Sequence, residues 1–296
     1  MICVFRQICN MSQKKVKEYV TEQLMQTYKN VITGDGYVYA QGTFPVLLVA
    51  HMDTVHKKLP SVIVYDKDKK ALSSPNGIGG DDRCGIYMVL EVIKKYNCSV
   101  LFTEDEEIGG IGAEKFTKAK FAKDLKFNYI IEFDRRGKDD AVFYDCDNPD
   151  FEEFITRDFY KTSWGSFSDI STIAPFLGCA AVNLSCGYYQ AHTVKEYVVV
   201  PEMNKSIEEA CKILERTTEK DVFEYIEAEH YNYKSYYDYY EQKYYIIEYV
   251  DKGGLHKFYD MYAHSKAEAI GKLWMLHNYL KYEDIIEVCS IEDYYY

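Results

Sequence analysis

Histidines and carboxylates recur in this sequence where apolar runs end. His51 and Asp53 follow Val46-Leu47-Leu48-Val49-Ala50, Glu106 and Glu107 follow the run Ser99 to Thr103, and Asp134 follows Tyr129-Ile130-Ile131. Asp81 and Asp82 come after the glycine-rich turn Gly77-Ile78-Gly79-Gly80, and His192 stands in Tyr188-Tyr189-Gln190-Ala191-His192-Thr193. Two aspartates, a glutamate and two histidines, with one more neighbouring glutamate, make a mixed nitrogen and oxygen donor set. Such a set suits zinc with a coordination position left open for water. Two metals sharing a carboxylate can clamp one hydroxide. That chemistry takes about five protein ligands and one further carboxylate as base.

Taken singly, each motif has an ordinary explanation. A His-x-Asp pair can be a loop, Asp-Asp after glycines can be a helix start favoured by the dipole, and Glu-Glu can be a solvated edge. The weight lies in their conjunction at strand ends. The elements that must position them alternate apolar runs with helical periodicity. Val16, Val20 and Leu24 recur every four residues after Ser12, and Ile86, Leu90 and Ile93 give a buried helix after Asp82. Hairpins are expected over Val31–Ala40 and around Ser61–Tyr65 with Ala71-Leu72. Helices are expected from about Gly112, after Asp150, near Ser168 and from Pro201, with a strand near Ala180 to Leu184. This alternation predicts an α/β fold with a mainly parallel central sheet flanked by helices. In such sheets the carboxyl ends of the strands line one crevice where ligands bind.

The chain has 296 residues, 47% of them hydrophobic, and a net charge of −12 from 35 Lys+Arg and 47 Asp+Glu. That acidity argues against a broad nucleic-acid groove. No apolar run reaches the roughly 18 residues needed to cross a bilayer, so no membrane role is expected. The start, MICVFRQICNMSQKK, has neither a signal-peptide core nor a cleavage site. The nine cysteines include no Cys-x-x-Cys pair. Free thiols in the cytoplasm are the expectation. Met11-Ser12 reads as a cleaner beginning than Met1, and the first ten residues as a loose extension.

Composition shifts near Phe223, and 17 of the 30 tyrosines lie from Tyr225 onward. Strands over Tyr244–Val250 and Leu255–Tyr262, a helix from Ser265 bearing Ala267, Ile270 and Leu273, and a strand over Ile285–Ile291 predict a small ββαβ module. The expected division is residues 1–222, carrying the chemistry, and residues 223–296, a Tyr-rich module. Its tyrosines fill half-buried faces or mark an interaction surface.

The segments LLVAHMDTV, GIGGDDRCG, LFTEDEEIGGIGA, IIEFD and YYQAHTVKEY, in this order from Val46 to Tyr197, resemble the co-catalytic di-zinc exopeptidases, the group of aminopeptidases, peptidase T and related carboxypeptidases and deacylases. The resemblance implies that His51 and Asp134 bind one zinc, that Glu107 and His192 bind the other, and that Asp81 bridges them. It implies that Asp53 fixes the His51 tautomer, that Glu106 is general base and acid, and that the Asp81–Asp82 peptide is cis. Members with a dimerising lid insert it between the positions of Asp134 and His192. Here that interval is 58 residues (192 − 134), too short for a lid and the remaining sheet, so the chain resembles the lidless aminopeptidase branch. Asp169, in a Ser-Asp helix start, is a site-lining candidate or a helix cap. Arg135-Arg136 is a candidate for a substrate carboxylate or a solvated pair.

The activity implied is a two-zinc aminopeptidase acting on short peptides, with manganese or cobalt as alternative metals. A deacylase or carboxypeptidase on N-acyl amino acids would use the same residues. A metal-binding protein without turnover is the reading from another class, and filled ligand and base positions count against it.

Overall fold

The central apolar runs lie side by side as parallel strands in the computed structural model of the chain, which describes residues 2–60, 62–228, 243–263, 269–270, 272–273, 277, 280 and 284–290. Strand β3 (Phe44–His51) is flanked in parallel by β6 (Cys98–Thr103) and β7 (Tyr129–Arg135), and β10 (Ala181–Ser185) runs parallel to β7. The sheet is completed at one edge by the hairpin β1 (Val31–Gly34) and β2 (Tyr37–Ala40), and at the other by β8 (Asp140–Val142) and β9 (Lys161–Ser163). The order is β1-β2-β6-β3-β7-β10-β8-β9. A second sheet joins β4 (Val64–Asp66), β5 (Ala71–Ser73), β11 (Tyr188–Tyr189) and β12 (Tyr197–Val199) in the order β11-β12-β5-β4. The fold is α/β with a mainly parallel central sheet, as the alternation predicts.

Both faces of the sheet are covered at its centre, which is why the central strands are apolar throughout rather than alternating. Val46, Leu48, Ala50, Val100, Phe102, Ile131 and Phe133 belong to a core with helices α1 (Ile2–Cys9), α2 (Gln13–Met25), α3 (Gly80–Val92) and α7 (Val200–Arg216). The intervening Leu47, Val49, Leu101 and Ile130 belong to the opposite core, with α4 (Ile111–Thr117) and α6 (Ile170–Leu177). This is the period-two alternation of a strand. It places Glu132 and Asp134, which alternate with Phe133, on the α6 side. Helix α5 (Pro149–Thr156) opens on Pro149 behind an Asn148 side chain that caps Phe151 N. Between Asp134 and His192 the described residues form β8, α5, β9, α6, β10 and β11, with no inserted domain.

The first ten residues are not a loose extension. They form α1, which buries Phe5, Ile8 and Cys9, and the Phe5 ring packs edge-on against Tyr87 of α3 at 5.7 Å. The amphipathic pattern in Ile2–Cys9 is only two turns long, too short to register as periodicity.

The chain divides into two compact units, Met1–Ala228 and Glu229–Tyr296. Residues 223–228 run along the first unit. Phe223 N donates to Asn128 O and Ala180 N to Phe223 O, while the Phe223 ring packs among Tyr129, Phe151 and Phe154. In the second unit, β13 (Lys243–Val250) pairs antiparallel with β14 (His256–Ala263) and β15 (Ile285–Ser290). Tyr245, Ile247 and Tyr249 are buried there with Ala263, Ala269, Leu273 and Leu280. The helix expected from Ser265 falls largely outside the described residues, Ser265 and Ala267 included, although 269–270 and 272–273 are helical. The tyrosines from 231 to 240 also lie outside them.

Candidate metal centre

All the strand-end residues meet at the carboxyl edge of the sheet, beside β3, where the chain passes from β6 on one side to β7 on the other. That reversal is where open α/β sheets place their ligands. The ligand atoms form two groups, His51–Asp81–Asp134 and Asp81–Glu107–His192, each lying within 4.8 Å of one another. His51 Nε2 is 3.1 Å from Asp81 Oδ1 and 3.5 Å from Asp134 Oδ1. His192 Nε2 is 3.1 Å from Asp81 Oδ2 and 3.1 Å from Glu107 Oε2. Asp81 thus turns one oxygen to each group. Glu106 stands beside them, its Oε2 4.0 Å from His51 Nε2.

Local structure explains this convergence. Asp53 holds three partners at once: its Oδ1 is 3.0 Å from His51 Nδ1 and accepts from Glu106 N at 3.1 Å, while its Oδ2 accepts from Glu107 N at 3.0 Å. The imidazole is thereby fixed with Nε2 toward the other ligands. Asp105 takes φ 62°, a left-handed turn rare outside glycine, and redirects the chain after β6. His192 itself has φ 64°. The Asp81–Asp82 peptide is cis, as the resemblance implies. Asp82 faces inward: its carboxylate accepts from Gly85 N at 2.8 Å and from His51 N at 3.3 Å. Asp134 is steadied by Asn183, which accepts from Asp134 N at 2.9 Å and donates to Asp134 O at 3.1 Å, and by the Tyr188 hydroxyl, which donates to Asp134 O at 3.1 Å.

The electrostatics are those of crowded acids. Burial pushes Glu106 up to about 8 against the pull of His51, with Asp134, Glu107 and Asp81 adding to the rise. Burial likewise raises Asp134 to about 7, aided by the charge of Asp81. Hydrogen bonds to Asp81 and Glu107 raise His192 to about 10. Burial alone would lower His51, but Asp134, Asp53 and Asp81 more than reverse it. Burial also works against the Asp81 carboxylate, yet the two imidazoles hold it well below the usual range. Protons on the histidines here compensate negative charge that cations would otherwise balance. Glu107 Oε1 supports that fit, being a buried carboxylate oxygen with no hydrogen-bond partner among the described residues. Metal ions can therefore occupy this donor set.

A cleft of about 340 Å³ opens over the cluster, lined by Asp81, Glu106, Glu107, Asp134 and His192 and by the aromatic residues Tyr144, Trp164, Phe167 and Tyr188. Of the two arginines at its end, Arg135 is engaged, its Nε donating to Asp140 Oδ2 at 3.1 Å, and Arg136 is exposed. Asp169 corrects both of its expectations. It makes no capping bond to α6 and does not line the cleft; it is fully buried and accepts from the Thr103 hydroxyl. Burial raises its carboxyl to about 7. The wall it was expected to form is made by Ser166 and Phe167. Buried Glu132 accepts from the Ser168 hydroxyl. Sequence reading passed over Glu196, which lies inside a quoted motif and is fully buried against the glycine-rich turn. The signal was the turn itself, where the amides of Gly79 and Asp81 need an acceptor.

No family model matches the sequence, and no curated protein matches it. Solved structures do. The chain is similar to the aminopeptidase PepT of Bacillus cereus at 15% identity and a TM-score of 0.59, covering 72% of this chain and 97% of that one. It is similar to a Staphylococcus aureus tripeptidase at 13% identity and a TM-score of 0.57, covering 72% of this chain and 96% of that one. A TET aminopeptidase from a marine-sediment Thaumarchaeota archaeon aligns at 13% identity and a TM-score of 0.58, over 75% of this chain and 97% of that one. The fold is therefore that of these aminopeptidases. Among the described residues, no helix is long and apolar enough to cross a membrane.

Proposed function

We propose that the chain is a metal-dependent aminopeptidase that hydrolyses short peptides, with Glu106 as general base and acid. The observation that carries this is a single carboxylate, Asp81, shared between two three-residue ligand groups, with an unshared carboxylate beside them. His51 and Asp134 would hold one cation, Glu107 and His192 the other, and Asp81 both. Zinc fits the donor set best, and manganese or cobalt can take the same ligands. What the cations supply when bound is Lewis acidity, which acidifies water and polarises the scissile carbonyl.

The remaining work falls to the chain's own groups. Glu106 takes the proton of the attacking water on a carboxylate oxygen and returns it to the leaving amine. Asp53 keeps His51 and the Glu106–Glu107 backbone in fixed relation, so base and ligands hold their separation. The aromatic residues lining the cleft would contact the substrate side chain and exclude water. Similarity to solved aminopeptidases supports the amino-terminal reading over N-acyl amino acids. Cys3, Cys9, Cys84, Cys98, Cys146, Cys179, Cys186 and Cys211 are free thiols, which fits a reducing, cytoplasmic setting. The Tyr-rich second unit carries none of these groups and is proposed to be a separable module.

The test is to load the chain with zinc, cobalt or manganese and offer dipeptides, tripeptides and N-acyl amino acids. Cation-dependent release of the first residue supports the proposal. Cleavage of N-acyl amino acids alone makes it a deacylase. No turnover with both cations bound makes it a binding protein.

A further inference from the structure

Beyond ligands and base, one buried carboxylate joins two of the three segments that form the second ligand group, those of Asp81 and His192. Glu196 has no exposed surface. Its Oε1 accepts from Asp81 N at 3.0 Å, and its Oε2 accepts from Gly79 N at 2.7 Å and lies 2.9 Å from His56 Nε2. Two amides, Gly79 N inside the turn Gly77-Ile78-Gly79-Gly80 and Asp81 N directly after it, thus close on one carboxylate, as backbone amides hold negative charge elsewhere. The turn's glycines are sterically required. A Cβ on Gly77 would come within 2.2 Å of the His56 ring, and one on Gly80 within 2.8 Å of Val198 and 2.9 Å of Tyr188. The space they leave admits His56, Glu196 and the strand that follows.

Glu196 lies four residues after His192, and the chain between them is short and anchored. Tyr197 and Val198 pair with Ser73 and Leu72 of β5 immediately afterwards. One end of this segment therefore presents His192 Nε2 to Asp81 Oδ2, at 3.1 Å, while the other holds the Asp81 backbone amide. We infer that Glu196 is a positioning residue that sets the spacing of Asp81 and His192, and so governs the affinity of the cation bound by Asp81, Glu107 and His192. This rests on the metallopeptidase reading above. His56 supports it by occupying the second oxygen of Glu196.

The chemistry makes the role testable. In Glu196→Gln one end of the side chain becomes an amide donor facing a backbone donor, so one of the two amide contacts fails while shape is kept. Outer partners of ligands typically carry about 10–100-fold of metal affinity. The experiment titrates the metal-free full chain with cobalt(II) against a competing chelator and follows the visible cobalt spectrum. The wild type is expected to bind two equivalents. Glu196→Gln is expected to bind the second about 10–100-fold more weakly, with an altered spectrum for that ion and the first largely unchanged. His56→Ala should give a smaller weakening of the same ion, and it decides the matter if Glu196→Gln does not fold. Unchanged cobalt affinity and spectrum in Glu196→Gln, with only a lower melting temperature of the metal-free chain, overturns the inference. A wild type that binds no cobalt overturns the metallopeptidase reading itself.

Discussion

The two candidate ligand groups share Asp81 but are built differently. The first is set into the sheet: His51 ends β3 with a fully buried side chain, and Asp134 lies within β7 with 9% of its side chain exposed. The second is set on loops. Glu107 follows β6 across a left-handed turn, and the His192 side chain, on a loop after β11, is 57% exposed. Strand ends backed by two cores move little, whereas an exposed loop ligand opens more readily. A stiff half that retains its cation and a looser half that exchanges it is the expected division, with the substrate entering over the looser side.

The largest effect expected is from Asp81→Asn, which weakens the one group common to both halves. Elemental analysis should find fewer than one equivalent of metal, with activity lost. Two full equivalents would mean that the halves are independent. Next comes Glu106→Gln, which should leave both cations in place and lower turnover by about 10²–10⁴. Glu107→Gln should instead release one cation, with activity partly restored by added zinc. Metal stoichiometry measured beside kcat separates the two, and the opposite pattern reverses their roles. The histidines should then differ in kind: His192→Gln recovers activity with excess metal, while His51→Gln, in the stiff half, does not. Equal rescue would erase the distinction.

A gentler probe is pH. In the folded metal-free chain Asp134 is raised to about 7, Glu106 to about 8 and His192 to about 10. The folded state therefore binds more protons than the unfolded one between about pH 4 and 10, so stability falls as pH rises through that window. The melting temperature of the metal-free chain should drop from pH 5 to pH 8. Bound zinc, which displaces those protons, should flatten the dependence. A melting temperature that rises over this range would contradict the protonation pattern. The smallest effect concerns the second unit: a chain ending at Ala228 should bind as many cations as the full one. Loss of a cation from that folded shorter chain would tie the module to the site.

The central strands were legible because each strand buried on both faces leaves an unbroken apolar run. His51, Glu106, Glu107 and Asp134 stand out at the ends of such runs, whereas Asp81 follows a glycine-rich turn and His192 lies in a late loop. The sharing of Asp81 came from resemblance to a family rather than from spacing. What stayed hidden depends on long-range pairing. Glu196 and Gly79 are 117 residues apart in the chain, and nothing local in Val194-Lys195-Glu196 marks a buried acceptor. Asp169 looked like a helix cap because Ser-Asp before an apolar segment has that form, and only the fold brings Thr103 near enough to claim it. The first helix was missed for lack of length.

That helix has a consequence for how far the site extends. Arg83 stands directly after the Asp81–Asp82 pair and is buried, and its guanidinium donates to Met52 O, between His51 and Asp53, and to Met11 O at 3.1 Å. Met11, just past that helix, is thus guyed to the floor of the candidate site through one charged strut. Removing an acceptor from a buried charge is among the more disruptive single changes a protein can suffer. Trimming the chain past Met11 would remove that acceptor, and pulling on that end with a fusion partner would strain it, slackening the tether at Met52. Handles for purification or immobilisation belong at the other terminus.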